Sequence, residues 1–132
     1  MNCLLDTHSF LWSAFSSRKL SKKAKTAIVD PENDIFVSAV SFWEISLKFT
    51  LGKIELNGIT PEKLPDIASR MGYEMLAMSS ADAASFHRLP LLSHKDPFDR
   101  MLVWQAINQH KTLISRDKGI TEYVQYGLDV LW

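Results

Sequence analysis

The sequence predicts a three-layer α/β/α sandwich on a mainly parallel sheet of four to five strands. Short apolar runs alternate with stretches of helical periodicity, the pattern of strands joined by helical crossovers. The first run, Cys3-Leu4-Leu5, is continuously apolar, as in a strand covered on both faces. That run stops at Asp6 before helical spacing sets in, so the acid stands at a strand C-terminus, the edge where open α/β folds hold ligands. The 132 residues, 46% of them hydrophobic, suffice for a single domain over residues 1–132 with one real core.

The first strand is read as Asn2–Leu5. Phe10, Leu11, Ala14 and Phe15 then recur at helical spacing. Arg18, Lys19, Lys22, Lys23 and Lys25 place five cations within eight residues and lead into a second helix carrying Ala24, Ala27, Ile28 and Val29. Asp30-Pro31-Glu32-Asn33 is a turn by composition. Residues 34–37 form the second strand, and Ser38 caps a helix running to about Phe49, where Gly52 allows a left-handed end. Residues 54–59 read as loop. Thr60 before Pro61 opens a helix that stops at Gly72. Residues 73–78 are the third strand, and Ser79 or Ser80 starts a short helix ending before Pro90. Asp96-Pro97-Phe98-Asp99 opens the next helix, residues 112–115 form the fourth strand, a short helix covers 119–124, and residues 128–132 form the last strand.

Fifteen basic and fifteen acidic residues cancel, so attraction to nucleic acid has to come from a local patch. The lone cysteine, Cys3, excludes an internal disulfide and fits a reducing compartment. With no signal-like start and no membrane-length apolar run, a soluble, cytoplasmic protein is expected.

The candidate chemistry lies in the acids. Asp6 ends the first strand, Asp117 follows the fourth, Asp99 sits in the first turn of the helix feeding the fourth strand, and Glu44 lies in the helix after the second. In a parallel sheet these four fall at one edge. Clustered carboxylates repel unless a cation neutralises them, and hard oxygen ligands without paired His or Cys favour Mg²⁺ or Mn²⁺. Phosphoryl transfer is the chemistry that uses such a site. Structural readings stand beside this one. Glu44 follows Ser41 by three residues and precedes Lys48 by four, the spacings of a capping box and a helix salt bridge. Asp96 reads as a helix cap, and Asp117 as a turn or cap residue. Asp99, at the third helical position, is expected to be kept ionised by the helix N-terminus and to be a source of strain among its acidic neighbours. Thr7 and Ser115, each beside a candidate acid, are supporting hydroxyls. His8, His87, His94 and His110 lack metal-ligand spacing and are assigned no catalytic role.

The segments LLDTHSFLW at 4–12, SAVSFWEISLKFTLGKIEL at 38–56, LPLLSHKDPFDRMLVWQA from 89, and TLISRD ending at 117 closely resemble the PIN-domain ribonuclease toxins called VapC, over nearly the whole chain. DPFDR, the strand-end Asp-Thr and the WEI segment together make the resemblance specific. It implies a Mg²⁺-dependent (or Mn²⁺-dependent) endoribonuclease, the toxin of a bacterial toxin–antitoxin pair, silenced by a small antitoxin protein and paired as a homodimer. Carried over, the family's catalytic and metal-binding acids fall on Asp6, Glu44, Asp99 and Asp117. The rival from another class is a catalytically silent module that keeps the fold and binds only a protein. Two expectations follow for partners: an antitoxin groove lined by Trp12, Phe42, Trp43 and Phe49, and RNA binding through the 18–25 cationic run, with Lys22 and Lys23 foremost.

Overall fold

The computed structural model describes residues 1–132 and is built on a five-stranded sheet in which every neighbouring pair is parallel. In chain order the elements are β1 (Asn2–Leu5), α1 (Thr7–Phe15), α2 (Lys22–Val29), β2 (Asp34–Ser38), α3 (Ala39–Thr50), α4 (Leu64–Arg70), β3 (Glu74–Leu76), α5 (Ser80–Ser85), α6 (Pro97–Asn108), β4 (Thr112–Ile114) and β5 (Asp129–Leu131). The spatial order β3-β2-β1-β4-β5 puts β1 at the centre, with Leu5 beside Val37 on one flank and Ile114 on the other.

The continuous apolar run of β1 is explained by the two layers it feeds. Cys3 and Leu5 enter one core cluster with Phe10 of α1, Ala24 and Ala27 of α2, Ile45 of α3, and Leu64 and Ala68 of α4. Leu4, pointing the other way, enters a second cluster with Met101, Leu102, Val103 and Ala106 of α6. Ile35 and Val37 of β2 join the first layer while Phe36 packs on the second, and Ile114 and Leu113 of β4 divide in the same manner. Fully burying each of the larger side chains among them (Leu, Ile, Val, Phe or Met) stabilises the fold by about 1.5–3 kcal/mol. These two layers hold β1 rigidly, and with it the position of Asp6.

Local details differ from the sequence reading for physical reasons. The third strand is only Glu74–Leu76, shorter than 73–78, as suits an edge strand with one neighbour. Residues Pro61–Lys63 form a 3₁₀ turn ahead of α4, and Thr60 makes no side-chain cap. The segment after Asp117 is a 3₁₀ helix, Lys118–Tyr126, closed by Gly127 at φ 101°. The Ser41–Glu44 capping box does not form. Ser38 takes the cap instead: its Oγ accepts from the Val40 amide (3.1 Å) and donates to Gln105 Oε1 (2.7 Å), tying α3 to α6. No helix is long and apolar enough to cross a membrane.

Candidate metal centre

Three segments bring an aspartate to the same edge of the sheet: Asp6 and Asp117 each cap a helix, and Asp99 lies in the first turn of α6. Asp6 leaves β1 and caps α1, its Oδ1 accepting from the Ser9 amide at 2.8 Å. Its own amide donates to the Ile114 carbonyl at 3.1 Å, which ties it to the end of β4. At 7% exposure the Asp6 carboxyl is pushed up by burial, against hydrogen bonds from Ser115 and Ser9 that favour its ionised form. Asp117 opens the 3₁₀ helix, with Oδ1 accepting from the Gly119 amide at 2.8 Å. Ser115 Oγ accepts from the Asp117 amide at 3.1 Å, so this hydroxyl braces two acids.

Asp99 is the third residue of α6. Asp96 caps that helix, its Oδ1 accepting from the amides of Phe98 (2.9 Å) and Asp99 (3.0 Å). The Asp99 carboxyl is raised from 3.8 to about 6, first by burial; a hydrogen bond to His94 opposes the shift, and the charges of Asp96, Glu44 and Asp6 add to it. Desolvation and three neighbouring acids thus act against the helix N-terminus, which favours the ionised form. Asp6, Asp99 and Asp117 line one cleft of about 330 Å³ together with His8, Trp12 and Arg116.

Glu44 is set apart from these three. It is 3% exposed and lies behind the cleft wall, where Thr7 Oγ1 donates to its Oε1 at 2.6 Å and Lys48 pairs with Oε2. Ser41 Oγ lies 3.0 Å from the same Thr7 hydroxyl. The predicted salt bridge to Lys48 is present, and Thr7 supports Glu44 rather than the adjacent Asp6. The charge of Glu44 still reaches Asp99.

The residue that sequence reasoning passed over is His94. Its Nε2 is 2.9 Å from Asp99 Oδ2 and 3.5 Å from Asp117 Oδ2, and these three side chains offer ligand atoms all within 4.8 Å of one another. Its separations from Asp99 (five residues) and Asp117 (23 residues) match no metal-ligand spacing. The one available signal was its place two residues before the α6 cap.

Residues 3–125 match the family model described as PIN domain. The chain belongs to the PIN domain family. Several solved structures share the PIN fold. One is a chain of VapBC2 from Rickettsia felis bound to a DNA fragment from their promoter, 17% identical with a TM-score of 0.70, covering 100% of this chain and 99% of that one. FitAcB from Neisseria gonorrhoeae is 19% identical at a TM-score of 0.65, with 98% and 96% covered. DNA-bound VapBC from Salmonella typhimurium is 12% identical at 0.66, with 99% and 97% covered. At these identities the likeness is one of fold. No curated protein matches the sequence.

The donors on this PIN fold suit a divalent cation. Carboxylate oxygens of Asp6, Asp99 and Asp117 face one cleft; burial raises Asp6 and, with the charges of Asp96, Glu44 and Asp6, raises Asp99. The other two predicted groupings lie apart from the acid cleft or are divided among sites. Lys22 and Lys23 line a different cavity with Met1, Thr26, Asp30 and Leu131, and the cation in the acid cleft is Arg116. The four aromatic residues do not share one groove. Phe42 and Phe49 face a groove between α3 and residues 60–65, Trp12 stands at the acid cleft with its ring 5.8 Å from Trp132, and Trp43, 59% exposed, packs edge-on against Phe98.

Proposed function

We propose that this PIN-domain protein is a Mg²⁺- or Mn²⁺-dependent endoribonuclease, the toxin of a toxin–antitoxin pair. The observation that carries the reading is the meeting of Asp6, Asp99 and Asp117 in one cleft, with the Asp99 carboxyl pushed to about 6. Three acids held together by caps and strand ends are a standing electrostatic cost, and a bound divalent ion removes it. The structural neighbours named VapBC, one of them described as a member of the VapBC family of toxin-antitoxin systems, support the biological setting.

In this reading Asp6, Asp99 and Asp117 hold the ion, and Glu44 adds its negative field from behind. The bound ion supplies activation of a water and neutralisation of charge on the scissile phosphate. Ser9 and Ser115 fix the Asp6 carboxylate, and Ser115 and the Gly119 amide fix Asp117, so both acids are aimed before substrate arrives. Arg116, on the cleft wall, offers a planar guanidinium to an RNA phosphate. Trp12 and His8, with ring centroids 5.6 Å apart, present aromatic faces on which an unpaired base can stack. Exposed Trp43 and Leu47 on α3, with Leu51 just past its end, supply apolar contact for an antitoxin segment, and pairing of two copies as a homodimer in the cytoplasm belongs to the same reading.

The test is incubation of the purified protein with structured RNA in Mg²⁺, in Mn²⁺ and in EDTA, beside Asp6→Asn. Cleavage that vanishes with EDTA and with Asp6→Asn supports the enzyme. Absence of metal-dependent cleavage across RNA pools would favour a silent protein-binding module.

A further inference from the structure

The imidazole of His94 is held on three sides. Asp99 Oδ2 lies 2.9 Å from Nε2, Asp117 Oδ2 lies 3.5 Å from it, and the backbone of Gly119 lies against the other ring nitrogen. A Cβ built at Gly119 would fall 2.8 Å from Nδ1 and 3.1 Å from Asp117 Oδ1, too close for the ring to stay in place. The backbone of Gly119 does not require glycine, since it is absent from the positive-φ residues. What glycine supplies at this position is room for the histidine.

Nε2 hydrogen-bonds to Asp99 Oδ2 and has Asp117 Oδ2 close by, and the same spacing fits three ligands around one ion. Neighbouring ligands in an octahedral set around a small divalent ion lie about 3 Å apart, because each stands about 2.1 Å from the metal. Nε2 faces one oxygen of each aspartate near that edge length, and in each case the rest of the local bonding leaves this oxygen available. Asp117 uses Oδ1 for the Gly119 amide and turns Oδ2 toward Nε2, while the α6 cap is made by Asp96, so Asp99 is not needed for it.

We propose that His94 is a nitrogen ligand, through Nε2, in one divalent-ion site with Asp99 and Asp117, and that Gly119 is the seat for its ring. The inference rests on the metal-dependent reading above and adds a donor that an all-carboxylate site lacks. A mixed nitrogen and oxygen set is better suited to Mn²⁺ than to Mg²⁺, since imidazole favours transition ions over the hard magnesium ion.

The full-length protein, stripped with EDTA and dialysed, is titrated with MnCl₂ and, separately, with MgCl₂ by calorimetry. The Mn²⁺-loaded sample is then examined by pulsed EPR for ¹⁴N coupling. One imidazole nitrogen is expected in wild type and none in His94→Ala, whose Mn²⁺ affinity should fall roughly 10–100-fold, with a smaller loss for Mg²⁺. Gly119→Ala should weaken Mn²⁺ binding through the displaced ring, and the double variant should bind no worse than His94→Ala alone. A nitrogen-free spectrum from Mn²⁺-loaded wild type would overturn the proposal while leaving the carboxylate site standing. Coupling that persists in His94→Ala and disappears in His8→Ala, the other histidine at the cleft, would also overturn it. If wild type takes up no Mn²⁺, the metal-dependent reading fails and this proposal with it.

Discussion

Glu44 and the three aspartates of the cleft are treated in opposite ways by their surroundings. Behind the cleft, Glu44 is fully provided for: one oxygen accepts from Thr7, the other pairs with Lys48, and its 3% exposure leaves little for water to do. In the cleft, Asp99 retains 26% side-chain exposure and a histidine contact, yet its carboxyl is driven to about 6 by burial and by three neighbouring acids. The first cluster is what folding builds when it has to satisfy a charge. The second is what remains when the charges are kept for something else, and native proteins concentrate such unfavourable arrangements where they function.

The largest expected effect separates the two groups directly. Asp99→Asn preserves size and removes an anionic donor, so RNA cleavage should fall by more than the roughly 10–100-fold typical of outer-shell changes at metal sites. Melting of the same variant in EDTA should be unchanged or raised, because one member of a repelling set has been neutralised. Near-normal cleavage with a lowered melting temperature would make Asp99 a structural residue and erase the contrast. The pH dependence has the same origin. The folded protein binds the Asp99 proton more tightly than the unfolded chain, so relative stability is lost as pH rises from about 4 to about 6. Metal-free wild type should therefore melt at a higher temperature at pH 5 than at pH 7, by a margin that shrinks in Asp99→Asn, with Asp6 contributing the remainder in the same direction.

Glu44→Gln tests the other side. The amide oxygen can still accept from Thr7, but the charge facing Lys48 is gone, and stability in EDTA should fall by about 1–3 kcal/mol. Cleavage should fall less than in Asp99→Asn. Equal or greater loss of cleavage, with stability untouched, would move Glu44 into the ion-binding set.

A smaller effect concerns cations. Arg116→Ala should weaken RNA binding more than the Lys22→Ala/Lys23→Ala double change, because Arg116 shares the cleft with the acids and the two lysines line a separate cavity. Filter binding across a salt series decides it, and a steeper loss in the lysine variant would restore the α2 run as the RNA contact.

Much of this was legible in the sequence because it depends on local pattern. The Cys3-Leu4-Leu5 run announced a strand buried on both faces, and the two core clusters divide those residues as alternation requires. Asp6 as the acid at the strand tip, Ser38 and Asp96 as caps, Gly52 at positive φ and Gly72 as the stop of a helix followed from local chemistry as well. What stayed hidden depends on pairing across the chain. Thr7 meets Glu44 across 37 residues, and His94 meets Asp117 from a loop whose path no periodicity describes. The Ser41-x-x-Glu44 spacing was real but misleading, because Ser38 outcompeted it for the cap and freed Glu44 for Thr7 and Lys48. The upward push on Asp99 was hidden for a related reason: a helix N-terminus is visible in sequence, whereas the depth of burial that raises the carboxyl is not.

In the proposed site a divalent ion relieves repulsion among the cleft acids, while Glu44 is already satisfied by Thr7 and Lys48. Thermal melting at pH 7 in EDTA and with added MnCl₂, for wild type, Asp99→Asn and Glu44→Gln, separates the two. An ion binding only the folded state adds about 2.7 kcal/mol at one hundred times its Kd, a rise of about 10 °C for a domain of this size. Wild type and Glu44→Gln should both show a rise of that order, and Asp99→Asn should show little or none. Equal melting temperatures with and without the ion in wild type, or a rise retained in Asp99→Asn and lost in Glu44→Gln, would contradict the account.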